Sequence, residues 1–422
     1  MIFFYWLVAV MTLDQHWLWG RELFGQFTII KLLGILCLLI ALFKIAAGNA
    51  SLRRFYDNAP TLWSIALLIF LGGGATHSLP AVASTAYQHL FSILALWVTV
   101  VILVDSGARV RWTLLAAVGS AAFASLYAVR QQLAYGDATA GFRAAGIFSD
   151  SNQYALVVGL WIPLSFLWTV GKRPRHERLF CLGCLIVSLL GVFAAASRGG
   201  FVGLISGFVY LIARSRRPVR NLLFVGALTI PLLFWSSSSL LRRIAAPADG
   251  DLQAQDARLI VWKAGLRMVE KYPLIGVGMH NFKSQVVQYE EGDERVESLA
   301  HNSYLEIAAE SGMPALLTLL GFLGTTFVAL ERMRKRSQRN GLPHLSNTAL
   351  GLQAGLISYM FSSFFMSAWF EKMVWLLIFV SIAFYRMGSE LRFFPGKNAG
   401  RLQERENKDN ALSESAETVQ YK

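Results

Sequence analysis

The chain has 422 residues, of which 55% are hydrophobic and only 15% charged. Soluble domains carry about a quarter charged residues, so this balance excludes an ordinary soluble fold and points to an all-α polytopic integral membrane protein. A formal charge of +13 can serve nucleic acid, but here the basic residues fall in short loops between apolar runs, a topological pattern that excludes a nucleic-acid groove.

Hydropathy predicts about twelve transmembrane helices, over residues 2–19, 26–47, 61–78, 84–104, 111–130, 152–170, 178–197, 200–214, 219–236, 303–330, 346–368 and 372–388. The first run is short and needs Gln15 to Trp19, or an upstream start, to cross. No basic residue precedes it (Arg21 is the first), so it does not read as a cleavable signal peptide. The segments 200–214 and 372–388 are near the short limit and fit tilted, protein-buried or re-entrant helices. Cys181 and Cys184 form C-x-x-C within one apolar run; without a His or Cys cluster they read as two small residues on one helix.

Loop charge sets orientation. With both termini cytoplasmic, the cytoplasmic loops hold Lys44, Arg53, Arg54, Arg109, Arg111, Lys172, Arg173, Arg175, Arg178, Arg214, Arg216, Arg217, Arg220, Arg332, Arg334, Lys335, Arg336 and Arg339. The opposite short loops hold only Arg21, Arg130, Arg143, Arg198 and Lys372, which is the positive-inside asymmetry. Residues 237–300 are then external. The transmembrane unit is predicted to span 1–396 and to include this insert. Residues 397–422 are polar and mixed in charge, the composition of a disordered cytoplasmic tail.

Within the insert, Asp256 to Lys271 is predicted to be an amphipathic helix with Leu259, Trp262, Leu266 and Val269 on its apolar face, ended by Pro273. Leu274 to Gly278 is a glycine-bearing turn. Glu290, Glu291, Asp293 and Glu294 read as a solvated acidic face.

Four residues stand out chemically. Arg258 lies in the first turn of the predicted amphipathic helix, where the dipole prefers anions, so it is a candidate to face one. Arg198, in Ser197-Arg198-Gly199-Gly200, sits between two apolar runs with small neighbours; its guanidinium suits bidentate contact with phosphate. Arg143, ahead of Gly146 to Asn152, is a third candidate. His301 titrates near neutrality where an apolar helix begins, at the water–lipid boundary. A capping or plainly structural histidine is the alternative there.

Arg198 in Ser-Arg-Gly-Gly, Arg258 followed by Trp262, Pro273 with Gly276-Val277-Gly278, and His301-Asn302-x-Tyr304-Leu305 followed by Glu310 and Gly312 occur in this order. Order and spacing resemble the O-antigen ligase/polymerase superfamily, most densely over 140–320. The resemblance implies a bacterial inner-membrane glycosyltransferase facing the periplasm. Its donor is a glycan on undecaprenyl diphosphate, and the reaction needs neither metal nor cofactor. In O-antigen ligases the acceptor is a sugar hydroxyl of lipid A–core, in polymerases another lipid-linked repeat, and in O-linked protein oligosaccharyltransferases a Ser or Thr. No large domain follows the last motif, which resembles a ligase more than an oligosaccharyltransferase. The resemblance assigns His301 the part of general base. Arg198, Arg258 and Arg143 would bind the diphosphate, and Asn302, Tyr304 and Glu310 would support them, Glu310 by pairing with an arginine. A non-enzymatic transporter of lipid-linked oligosaccharide is the competing class; it favours mid-span charges and an internal repeat, and neither is evident.

Overall fold

The computed structural model describes residues 1–13, 28–136, 142–214, 249–291 and 296–390, with a few isolated residues between 218 and 226. The predicted segment 219–236, Arg21, Arg216, Arg217, Arg220, Asp293, Glu294 and the tail 397–422 lie outside the described residues, apart from those isolated positions.

The described residues are helical, with no strand: α1 Ile2–Val10, α2 Ile29–Ala46, α3 Ala59–Thr76, α4 Pro80–Leu103, α5 Gly107–Tyr135, α6 Ser151–Gly159, α7 Ile162–Val170, α8 Arg175–Ala195, α9 Arg198–Arg214, α10 Asp249–Lys271, α11 Phe282–Gln285, α12 Ser303–Arg339, α13 Pro343–Ser362 and α14 Lys372–Glu390. Among the described residues seven stretches are long and apolar enough to cross a membrane: α2, α3, α4, α5, α6 with α7, α8 and α12. The fold is therefore an all-α polytopic membrane protein. Of the twelve predicted spans, α1, α9, α13 and α14 fall short of that measure of length and hydropathy among the described residues. For α13 the reason is position. It packs against α7, α9, α12 and α14 and is almost wholly buried, so it carries Thr348, Gln353, Ser358 and Ser362 without exposing them to lipid.

Two predicted helices are interrupted. The 152–170 run breaks at Leu160–Trp161, because Pro163 has no N–H to donate to the Gly159 carbonyl. The helix after His301 kinks at Gly312 (φ 84°, ψ 168°), just before Pro314. The α9–α13 contact rests on glycines. A Cβ at Gly203 would stand 2.5 Å from the Ser358 carbonyl oxygen, and one at Gly207 2.9 Å from that of Ala354. Small residues at this spacing let two helices approach closely. Cys181 and Cys184 are buried and unbridged on α8, as two small core residues.

The bundle has two unlike ends. One gathers the ends of α2, α4, α7 and α12 with the starts of α3, α5, α8 and α13, and is rich in ion pairs. Asp105 takes Lys44 at 2.7 Å, Arg109 at 2.5 Å and Arg54 at 3.7 Å. Glu177, 2% exposed in its side chain, pairs with Arg111 and with Arg173 at 3.0 Å. Glu331 holds Arg214 and Arg334, and Arg386 reaches Asp57 at 3.0 Å. The other end carries the segments 142–150, 196–197, 272–291, 296–302 and 363–371, and with them every predicted site residue.

Candidate active site

The site begins with how α8 passes into α9. Ala196 adopts a left-handed conformation (φ 47°), and Arg198 opens α9 immediately afterwards. The incoming 142–150 loop holds this corner: the Ala144 N–H donates to the Ala194 carbonyl at 3.1 Å, and Arg143 Nε to the Ala195 carbonyl at 3.2 Å. Arg143 Nη2 donates to Asn152 Oδ1 at 2.6 Å. The same oxygen accepts the Ser197 hydroxyl at 2.8 Å, and Ser197 Oγ in turn accepts the Gly200 N–H at 3.1 Å. Arg143, Asn152, Ser197 and the start of α9 thus form one hydrogen-bonded unit. Gly199 has no room for a side chain, since a Cβ would meet Met366 at 2.8 Å and Phe365 at 3.1 Å. The small residues beside Arg198 therefore admit neighbouring protein.

A cavity of about 420 Å³ lies against this corner. Its wall includes Arg143, Arg198 and Arg258, which come from three separate segments, together with Asn152, Trp262 and Phe365. Sequence reasoning placed Arg258 in the first turn of its helix. α10 starts earlier, at Asp249, so Arg258 lies well inside it, beyond the first turn where the helix dipole acts. What brings Arg258 to the cavity is the face of α10 on which it lies. The buried face of α10 also differs from the expected apolar one. Val261, Ala264 and Met268 are buried, whereas Leu259 and Leu266 are each 55% exposed. The insert's own small core, with Phe282 and Val286, selects the Val261 side.

His301 stands beside the cavity, outside its wall. Its backbone is left-handed (φ 47°), a conformation uncommon for a residue other than glycine or asparagine and usually sustained by its surroundings. Both flanks are fixed. The Ala300 carbonyl accepts Trp262 Nε1 at 2.7 Å. Asn302 caps α12, its Oδ1 accepting the Tyr304 N–H at 3.1 Å and the Leu305 N–H at 3.2 Å. Ser303 N–H and Oγ both donate to the Met366 carbonyl. Burial lowers the pKa of the His301 imidazole below its ordinary 6.5; the nearby Arg258 charge lowers it further and Asp150 partly opposes them. The ring is therefore neutral at pH 7, the state able to accept a proton.

The expected supporting residues are present in other parts. Asn302 acts as the helix cap next to His301. The Tyr304 hydroxyl donates to the Met360 carbonyl at 2.8 Å. Among the described residues the expected pairing of Glu310 with an arginine is not found: its Oε1 accepts the Phe282 N–H at 3.1 Å, and its carbonyl accepts the Gly278 N–H at 3.0 Å. Glu310 thus docks the Pro273–Gly278 turn onto α12, where Gly276 (φ 68°) and Gly278 (φ 101°) take conformations that favour glycine. The acidic run is not uniformly solvated. Glu290 is 6% exposed and accepts the Val296 N–H at 2.9 Å, while Glu291 is exposed and pairs with Arg267.

Several site-face residues escaped the sequence reading. Asp150 caps α6 through the Asn152 and Gln153 N–H groups, and that cap was the available signal for it. Asn152 and Ser197 were visible only as neighbours of the arginines. His280, in a left-handed turn, lies 2.8 Å from His89 of α4 (Nε2 to Nδ1) and stacks on Trp369. Nothing in the separation of 191 residues announces that pair.

Fold and site together define a polytopic membrane protein with a cationic cavity at one end and a neutral histidine next to it. Residues 183–320 match the family model described as O-antigen ligase. The match includes Arg198, Arg258, His301 and Glu310; Arg143 lies ahead of it. It supports glycan transfer of the ligase or polymerase type in general. No curated protein matches the chain.

Proposed function

We propose that the protein is an O-antigen ligase, moving a glycan from undecaprenyl diphosphate to a sugar hydroxyl of lipid A–core. The observation that carries this reading is the convergence of Arg143, Arg198 and Arg258 on one cavity with His301 beside it. As the bond between the anomeric carbon and the diphosphate oxygen breaks, its electron pair leaves with the diphosphate, which gains negative charge. Arg198 and Arg258 stabilise that charge from fixed positions at a low-dielectric boundary, and Arg143, held by Asn152, completes the cradle. The acceptor hydroxyl attacks from the opposite side, forms the new carbon–oxygen bond and gives its proton to His301. Such base catalysis is typically worth about 10²–10⁴-fold. One direct displacement inverts the anomeric centre and needs no covalent enzyme intermediate. Residues 1–396 form the catalytic unit, with 397–422 as its tail. The ion-paired end faces the cytoplasm with both termini, and the cavity faces the periplasm of a bacterial inner membrane.

The test is transfer in a purified system of protein, undecaprenyl-diphosphate-linked glycan and lipid A–core with EDTA present. Glycosylated lipid A–core is expected from the native protein. His301→Ala is expected to retain donor binding and lose transfer. Normal transfer by that variant removes the mechanism, and extension of the lipid-linked glycan with the acceptor untouched replaces the ligase by a polymerase.

A further inference from the structure

A second cavity, about 840 Å³, opens at the ion-paired end between the loop before α3, the last turns of α12 and the end of α14. Four arginines surround it, Arg53, Arg54, Arg332 and Arg386, against one lining carboxylate, Asp57. Two of the four belong to the frame. Arg386 bonds Asp57 and donates to the Arg54 carbonyl at 2.8 Å and the Val101 carbonyl at 3.2 Å. Arg54 donates to the Ile102 carbonyl and lies near Asp105. Arg53 and Arg332 are exposed at the mouth, and no side-chain partner is found for either among the described residues.

The cavity changes character with depth. From Arg332 its α12 wall runs inward through Ala329, Val328 and Thr325 to Gly324, eight residues or about 12 Å of helix. A Cβ at Gly324 would meet nothing within 4 Å, so the groove is open there. Above it Trp63 of α3 lies over Gly321, where a Cβ would stand 2.7 Å from the indole, and closes the groove. Val328, Leu320 and Leu317 are 46%, 43% and 58% exposed on the same helix, so the inner wall continues into the apolar outer surface of the bundle.

A cationic mouth above an apolar groove that opens sideways matches an amphiphile better than a soluble anion. We infer that this cavity binds the phosphodiester headgroup of an anionic phospholipid, with Arg53 and Arg332 on the headgroup and one acyl chain along Val328 and Gly324. The inference does not depend on the reaction proposed for the other end. Basic pockets between transmembrane helices commonly hold such headgroups, and each surface arginine contributes about fivefold in affinity.

Native mass spectrometry of the detergent-purified full chain, titrated with phosphatidylglycerol, phosphatidylethanolamine or glycerophosphoglycerol, tests it. Phosphatidylglycerol is expected to be retained preferentially, with little binding of the zwitterionic lipid or of the chain-free phosphodiester. R53Q/R332Q is expected to lose about tenfold in retention. Gly324→Leu, which keeps every charge and fills open space, is expected to lose several-fold, while R175Q/R178Q at another basic loop changes little. Equal binding of glycerophosphoglycerol, unchanged retention in R53Q/R332Q, or an equal loss in R175Q/R178Q would overturn the assignment. Circular dichroism of each variant separates a loss of binding from a loss of fold.

Discussion

The two ends of this bundle use arginine in opposite ways. At the ion-paired end, positive charge set by topology is mostly met by carboxylates: Asp105 gathers three cations, Glu177 two, and Glu331 two arginines. At the other end Arg143 is held by an amide oxygen and a backbone carbonyl, and with Arg198 and Arg258 it lines a cavity. Both of these acceptors of Arg143 are neutral groups that fix the direction of its guanidinium. The first arrangement stabilises a fold; the second, on the function proposed above, receives the donor's diphosphate.

Substitutions can break this contrast. His301→Ala should cost the largest factor, about 10²–10⁴ in transfer rate if the imidazole is the base, with thermal unfolding unchanged; loss of both together would reduce His301 to a structural residue. Arg198→Gln and Arg258→Gln should each lower kcat by about 10²–10³, the effect of removing one preorganised charge-stabilising donor, again with stability retained. At the opposite end Glu177→Gln should leave Arg111 and Arg173 without their buried partner and destabilise by about 3–5 kcal/mol, with the rate per folded molecule intact. A thermal melt and a specific-activity assay on the same sample distinguish the two ends.

Acidity supplies a finer test. Because the His301 pKa is lowered, the neutral imidazole proposed as base is present at pH 7 and is lost as pH falls through a value below 6.5. Arg258→Gln removes a depressing charge and should move this acid limb to higher pH. Asp150→Asn removes an opposing one and should move it lower. A pH–rate profile that ignores both substitutions would place the base elsewhere. The smallest expected effect is at Ala196, whose left-handed backbone disfavours a Cβ; Ala196→Gly should leave activity unchanged and stabilise by about 1 kcal/mol, read as a small rise in Tm.

Much of this was legible in the chain. Span positions follow from apolar runs whose length the bilayer dictates, and Asn302 and Pro273 marked helix boundaries through their own local chemistry. The arginines and His301 stood out because charge beside apolar sequence is costly. Other features had no local signal. Leu259 and Leu266 share a helical face as regular as that of Val261, Ala264 and Met268, and only packing against Phe282 and Val286 chose between them. Glu310 looked like a partner for arginine, but its carboxylate accepts the Phe282 backbone N–H instead.

By itself the sequence determined that the chain is helical, spans a membrane many times and keeps most of its positive charge at one end, because burial of backbone and charge in lipid is decided residue by residue. Only the tertiary structure decided which cations meet a carboxylate and which meet a cavity. That choice depends on residues far apart in the chain, such as Arg143 with Asn152 and Ser197, or Lys44 with Asp105, whose proximity is a property of how the helices pack.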